Sequence, residues 1–415
     1  MESLSGRLRR GSAFVNWSWR LSSVTLATLL TLSALFIAAG GLGLATSVGL
    51  AGLIFTPVVF VSGWRAFKSA PTLVFLGVLS IGWVCLSHLW SPYDKPDQVY
   101  KLALLTPLFV LAAYMACRLT EEEADRQRRV LVAGALLVGG YFLVEALSGG
   151  LIGGWIELNL EESTYPAEAV RNAKVTLSRG ATAFMMLAGP VALALWRCPD
   201  AAQRGLAIAL MVMAGFASAS FDVEANILAL LFGLIVAGAT LWSGPVAPQL
   251  MVLGAGVWVL GAPLFMGLGL ALLPDPVEDS LPLSWAWRLE IWQAVLEQIR
   301  QAPLIGHGLD SMRAMSDPTP YRDITIDRLP LHAHNAGLHI WMDAGAVGAI
   351  LCAATLFALV GALGRARLTR DQLAGLAYVG GIWLVSVMLG YGVYQEWHHA
   401  ALALGVFSAF LNRTD

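Results

Sequence analysis

The chain has 415 residues, 57% of them hydrophobic and only 13% charged, with a net charge of −2 and a mean hydropathy of +0.67. Soluble domains carry about 25% charged residues, so a cytosolic enzyme and a disordered chain are excluded. The lack of a basic excess excludes a nucleic-acid binder. What fits is an all-α polytopic membrane protein.

About 20 apolar residues cross about 30 Å of hydrocarbon. Stretches of that kind predict about twelve transmembrane helices, at 22–40, 43–63, 71–90, 101–117, 130–148, 177–196, 205–220, 226–242, 249–273, 335–363, 373–392 and 397–411. Gly40-Gly41 alone separates the first pair, and a Tyr391–Glu396 turn the last. The opening Arg7, Arg9, Arg10 and Arg20 precede a run long enough to be an uncleaved first span rather than a signal peptide. Cys85, Cys117, Cys198 and Cys352 fall in or beside apolar stretches and are expected as small core residues.

Counted alternately, the loops on one side carry those arginines with Arg65, Lys68, Arg118, Arg126, Arg128, Arg129, Arg197, Arg204, Arg365, Arg367, Arg370 and Arg413. Short basic loops are cytoplasmic, so both termini are expected there, in a single membrane domain spanning 1–415. The opposite side holds Asp94, Asp97, Glu157, Glu161, Glu162, Glu168, Asp222, Glu224 and an acidic run from Asp275 to Asp327. Two of its loops are too long for turns: about 149–176, and about 274–334 between spans nine and ten. Long loops of this kind usually carry function.

Within the larger loop, Ser284 to Ala302 reads as an amphipathic helix with Ser284 as N-cap and Pro303, Gly306 and Gly308 as its stop. Trp285, Leu289, Trp292, Leu296 and Ile299 share one face; Glu290, Gln293, Glu297 and Gln301 share the other. Arg288 falls inside the apolar arc. Two readings stand: a snorkelling or cation–π arginine, or a guanidinium aimed into a cavity to meet a phosphate. Arg179, where Ser178-Arg-Gly180 opens the sixth span, poses the same choice; reaching water is its plainer reading, and intramembrane charge is the functional one.

The loop ends in His332-Ala-His334-Asn335. Asn335 is a natural N-cap, helix N–H groups there favour negative charge, and a neutral His334 imidazole can act as general base. Position alone favours a capping role for His334. His332 and His334 lack a cysteine or carboxylate at ligand spacing, so no metal is assigned. His339 and Asp343 are expected to hydrogen-bond along one helix, and His398 and His399 to lie at an interface.

Together these segments resemble the O-antigen ligase and polymerase superfamily of bacterial membrane glycosyltransferases, of GT-C type. The likeness rests on His334-Asn335 continuing through Leu338, Asp343, Gly345 and Gly348; on Arg288-Leu-Glu-Ile-Trp292 followed by Pro303-Leu-Ile-Gly-His-Gly308; on Ser178-Arg-Gly180; and more weakly on Leu86-Ser-His-Leu-Trp-Ser-Pro92 before Lys101. Asp343 stands where the family is expected to carry glutamate, and His332 leaves open which imidazole acts. The resemblance implies inverting transfer of a glycan from undecaprenyl diphosphate to a sugar hydroxyl at the periplasmic face of the bacterial inner membrane. His334 would be the base, and Arg179 and Arg288 would hold the leaving diphosphate. Asn335, His332, Lys101 and Arg313 would support, with no metal or cofactor. The expected partners are the lipid-linked glycan, lipid A–core or another glycan acceptor, and membrane lipids. Ligation onto lipid A–core is the favoured reading; polymerisation and, from another class, a twelve-span transporter or flippase are the alternatives.

Overall fold

The computed structural model describes residues 13–62, 70–160, 165–274 and 280–413. Arg7, Arg9, Arg10, Arg65, Lys68, Glu161, Glu162 and Asp275, which enter the charge reading, lie outside the described residues. The helices in chain order are α1 (Ala13–Ala38), α2 (Leu44–Ser62), α3 (Pro71–Ser87), a composite α4 (Asp97–Arg118), α5 (Glu121–Ser148), α6 (Leu151–Asn159) and α7 (Pro166–Arg197). They continue with α8 (Ala201–Ala219), α9 (Glu224–Ser243), α10 (Val246–Ala271), α11 (Leu283–Gln301), α12 (Ala336–Arg365), α13 (Arg370–Leu389) and α14 (Glu396–Phe410).

Among the described residues nine of these helices are long and apolar enough to cross a membrane: α3 with its extension to Trp90, α4, α5, α7, α8, α9, α10, α12 and α13. The other three predicted stretches are the helices α1, α2 and α14, the last only 15 residues long. The expected loop at 149–176 is largely helical: α6 lies in it, and α7 starts at Pro166 rather than near 177. Apolarity marks only the turns inside hydrocarbon, whereas Pro166 at the first helical position starts the helix earlier. Left-handed Gly149 ends α5, and buried Glu145 in its last turn accepts from the N–H groups of Ile152 (3.2 Å) and Gly153 (2.7 Å) in the first turn of α6. The cysteines expected as small core residues are not fully buried: Cys85, Cys198 and Cys352 are half-buried and Cys117 is exposed.

Small residues let the helices approach closely, as membrane packing requires. Gly233 of α9 meets Gly381 of α13, Gly256 of α10 takes the Phe357 ring of α12, and Gly337 of α12 sits against Ala262. The α1–α2 turn works the same way: Gly40 and Gly41 both have φ +76, and a Cβ on Gly40 would stand 2.5 Å from Thr176 of α7.

Helix α12 is broken at Gly345 (φ 63, ψ −164). A break at membrane depth frees backbone groups that must be satisfied internally. The Pro303–Gly308 segment does this. His307 and Gly308 N–H donate to the carbonyls of Met342 and Asp343 (both 2.8 Å), while Ala346 and Val347 N–H donate to those of Pro303 (2.9 Å) and Leu304 (3.2 Å). Trp83 Nε1 takes the carbonyl of Ala344 at 2.9 Å. Each glycine here has a reason: a Cβ on Gly345 would lie 2.4 Å from the Leu304 carbonyl, and one on Gly308 2.5 Å from the backbone of Ser91.

Between α10 and α12, α11 buries Leu289, Trp292, Leu296 and Ile299 as the face reading requires, and also Ile291, Ala294 and Val295. The second buried side is covered by its own loop: an antiparallel hairpin of β1 (Pro318–Tyr321) and β2 (Ile324–Asp327) receives Trp287 Nε1 on the carbonyl of Asp327 at 2.8 Å. Pro282, not Ser284, precedes the first turn of α11, and no side chain caps it. At the other end of the bundle, Arg128 donates to the carbonyl of Leu411, Arg413 to those of Ala116 and Leu119, and Arg370 to that of Leu241; Arg197 pairs with Asp371. That end gathers much of the arginine that the charge reading assigned to one side.

Candidate functional site

His334 has φ +48, a left-handed conformation rare for a non-glycine residue and of the kind that concentrates at functional sites. It is held from both flanks. Trp292 Nε1 donates to the carbonyl of Ala333 at 3.0 Å, and Asn335 caps α12 by accepting from Leu338 N–H at 3.2 Å. The expected N-cap is therefore present. Asn335 Oδ1 also receives Trp258 Nε1 at 3.3 Å.

The His334 ring rests against the carbonyls of Leu389 and Gly390, where α13 ends. Its Nδ1 is buried without a partner. The His332 ring lies 4.2 Å away, centroid to centroid. Burial, with His332 and Arg288 nearby, holds the His334 imidazole well below the ordinary histidine pKa against the pull of the two carbonyls. His332 is pushed down to about 4, by burial first and then by Arg313 and Arg288. Both rings are neutral at physiological pH, the state in which a nitrogen can accept a proton.

Arg288 reaches the same carbonyl. Its Nη2 donates to Leu389 at 3.1 Å and its Nη1 to Ser284 at 2.9 Å, and its guanidinium lies 5.0 Å from the Trp285 ring centroid. Nε is buried without a partner, and Arg288 forms no ion pair with a described residue. Burial lowers its pKa, and Glu224, which also accepts from Trp285 Nε1, opposes that. The arginine thus combines a cation–π contact with an inward aim, joining the two readings left open above.

Arg179 comes close through the same turn. Tyr391, two residues past Leu389, points its hydroxyl at Ser178 (3.4 Å) and Thr182 (3.3 Å), and Thr182 donates to Asn226 at 2.8 Å. Arg179 acts electrostatically on Tyr391 and forms no hydrogen bond or ion pair with a described residue. It lies well inside α7 rather than opening it. The turn Leu389–Tyr391 is therefore the junction of three segments distant in sequence. An isolated Tyr and an Asn in apolar surroundings were the only sequence signals for it, and neither Tyr391, Asn226 nor Glu224 is singled out by spacing.

The supporting cations are less available. Lys101 pairs with Glu396 at 3.1 Å and Asp97 at 3.7 Å, and Arg313 with Asp310 at 2.6 Å. Neutralised in this way, they are poorly placed to take a diphosphate, although Arg313 still bears on His332. His339 and Asp343 stand 3.5 Å apart, but the histidine nitrogen has no hydrogen bond. Asp343 is engaged elsewhere, accepting from Asp310 N–H (2.9 Å) and Ser311 Oγ (2.8 Å). The expected His339–Asp343 hydrogen bond is thus replaced by a bond that anchors the 308–313 turn. His398 is not interfacial: it is fully buried among Trp383, Tyr391 and Trp397. His399 lies beside the Trp383 ring. The Leu86–Pro92 segment also has a role, since Ser91 Oγ donates to the carbonyl of Leu309 at 2.8 Å.

An apolar groove of about 540 Å³ runs between α9, α10 and α13 and ends at Trp292, Asn335 and Leu389, beside the cluster.

Residues 173–353, which contain Arg179, Arg288 and His334, match the O-antigen ligase family. A protein of Rickettsia conorii named "putative polysaccharide ligase" is 26% identical over 147 residues, 34% of this chain and 35% of that protein. One of the same description from Rickettsia bellii is 25% identical over 199 residues, 46% of this chain and 48% of that protein. The similarity thus spans between a third and a half of these curated relatives. The matched region is similar to the O-antigen ligase superfamily.

Proposed function

We propose that this protein is an O-antigen ligase, which moves a polysaccharide from undecaprenyl diphosphate to a sugar hydroxyl of lipid A–core at the periplasmic face of the inner membrane. The carrying observation is that neutral His334 and Arg288, which forms no ion pair with a described residue, converge on the Leu389–Gly390 carbonyls at the end of an apolar groove. The first isoprene units of a polyprenyl chain would lie in the groove, and its diphosphate would then meet a half-buried guanidinium whose desolvation it offsets.

In this reading the acceptor oxygen attacks the anomeric carbon, its proton passes to the imidazole, and the carbon–oxygen bond to the diphosphate breaks with inversion. Charge develops on the departing diphosphate, so cations placed there lower the barrier. Arg288 takes this role directly and Arg179 from the far side of the Leu389–Tyr391 turn. The arginines do the work of charge neutralisation, and the scheme needs no metal step.

The test is a lipopolysaccharide gel from a deletion strain. Bare lipid A–core with polymer retained on the lipid carrier supports the ligase. Core capped by one repeat would make the protein a polymerase using the same site, and unchanged surface glycan would reject both.

A further inference from the structure

A second apolar groove lies at the opposite end of the bundle, between α7, α8, α9 and α13. It holds about 550 Å³, within the usual size range of ligand pockets. Its walls include Trp196, Ile208, Gly238, Leu241 and Tyr378. It opens sideways, since Trp196 and Ile208 are 50% and 56% exposed. A groove open in that direction faces hydrocarbon.

The rim of the groove is basic. Arg370 donates through Nη1 to the carbonyl of wall residue Leu241 at 3.3 Å. Arg204, one turn before the wall residues Ala207 and Ile208, donates to the carbonyl of Cys198 at 3.1 Å. Both side chains are exposed, and neither forms an ion pair with a described residue. The nearest acids are engaged: Asp371 with Arg197 at 2.6 Å, and Asp200 as the cap of α8. Trp196 and Trp242 are half and almost wholly exposed there, as tryptophans at a headgroup boundary are. The Tyr378 hydroxyl is buried without a partner.

We propose that this groove binds one anionic diacyl phospholipid from the leaflet opposite the histidine site, with its chains along the groove and its phosphate between Arg370 and Arg204. Apolar walls alone would accept any lipid. Two guanidiniums without ion-pair partners among the described residues select a phosphate whose charge the rest of the headgroup does not cancel, as basic pockets between membrane helices do. The proposal does not depend on the glycan chemistry.

Native mass spectrometry of the purified full-length protein tests it, with phosphatidylglycerol, phosphatidylcholine or inorganic phosphate added. One phosphatidylglycerol should be retained at least ten-fold over phosphatidylcholine. An Arg204→Gln, Arg370→Gln double variant should lose that preference. Gly238→Leu should lower retention of both lipids, because no atom lies within 4 Å of a Cβ built on Gly238 and the new side chain occupies open groove. Thermal melting checks that each variant is folded. Equal retention of the two lipids, a preference that survives the double variant, or displacement of phosphatidylglycerol by inorganic phosphate would overturn the proposal.

Discussion

Arg288 and His334 depend on one another through charge and a shared carbonyl. Arg288 sits half-buried on Trp285 and gives one hydrogen bond to Leu389; burial first, then His332 and the Arg288 charge, keep His334 neutral. The sign of the pH dependence follows. A histidine whose folded pKa is depressed favours the folded, neutral state above the unfolded value of about 6.5, and loses that contribution as pH falls through the folded value. His332 titrates at about 4 and His334 well below its ordinary value. The transfer rate should therefore stay level from pH 8 to about 5.5, measured as initial rate at saturating donor. A half-loss near pH 6.5 would mean the base is an ordinary exposed histidine. Spacing made both residues visible as candidates, but a guanidinium's partner is a matter of distance. Sequence alone therefore left open whether Arg288 met lipid or protein.

At the scale of the element, the Pro303–Gly308 segment and the broken helix α12 form one unit. Each supplies hydrogen bonds the other lacks. Gly345 occupies a region of backbone space open essentially to glycine, where a side chain costs about 1–3 kcal/mol, and its Cβ would also strike Leu304. Gly345→Ala should lower the unfolding midpoint of the detergent-solubilised protein and make the 304–314 loop sensitive to protease. An unchanged midpoint and digestion pattern would show that the break is not needed. The glycines of both segments were readable as a motif, because glycine is conspicuous in an apolar run. That they interlock was not, because nothing in a helical period announces a break repaired by another segment. The early start of α7 was hidden for a related reason: hydropathy reports hydrocarbon, not helix.

Over the whole molecule, the all-α membrane class was legible from apolar run length, since about 20 such residues have few other uses; the count of twelve spans was not, since nine described helices are long and apolar enough to cross. Which runs touch was not legible. Close approach of α9 to α13 uses Gly233 against Gly381, and that of α10 to α12 uses Gly256 and Gly337 against Phe357 and Ala262, and no periodicity selects a partner. The charge reading puts the arginine-rich end in the cytoplasm and the histidine site in the periplasm. It predicts that in intact cells a variant retaining only Cys117, which is exposed and adjoins Arg118, resists a membrane-impermeant thiol reagent and reacts once the inner membrane is opened. Labelling of intact cells through the periplasm would reverse the orientation.

The most direct test of the central claim is transfer by purified protein, followed as release of undecaprenyl diphosphate from a lipid-linked glycan in the presence of lipid A–core. His334→Ala and Arg288→Lys should each lose about 100-fold or more in rate, the range for removing one positioned group from a charge-stabilising site. The lysine variant should fail because a point charge does not reproduce the planar fork. Transfer near the wild-type rate by either variant would contradict a shared site at the Leu389–Gly390 carbonyls.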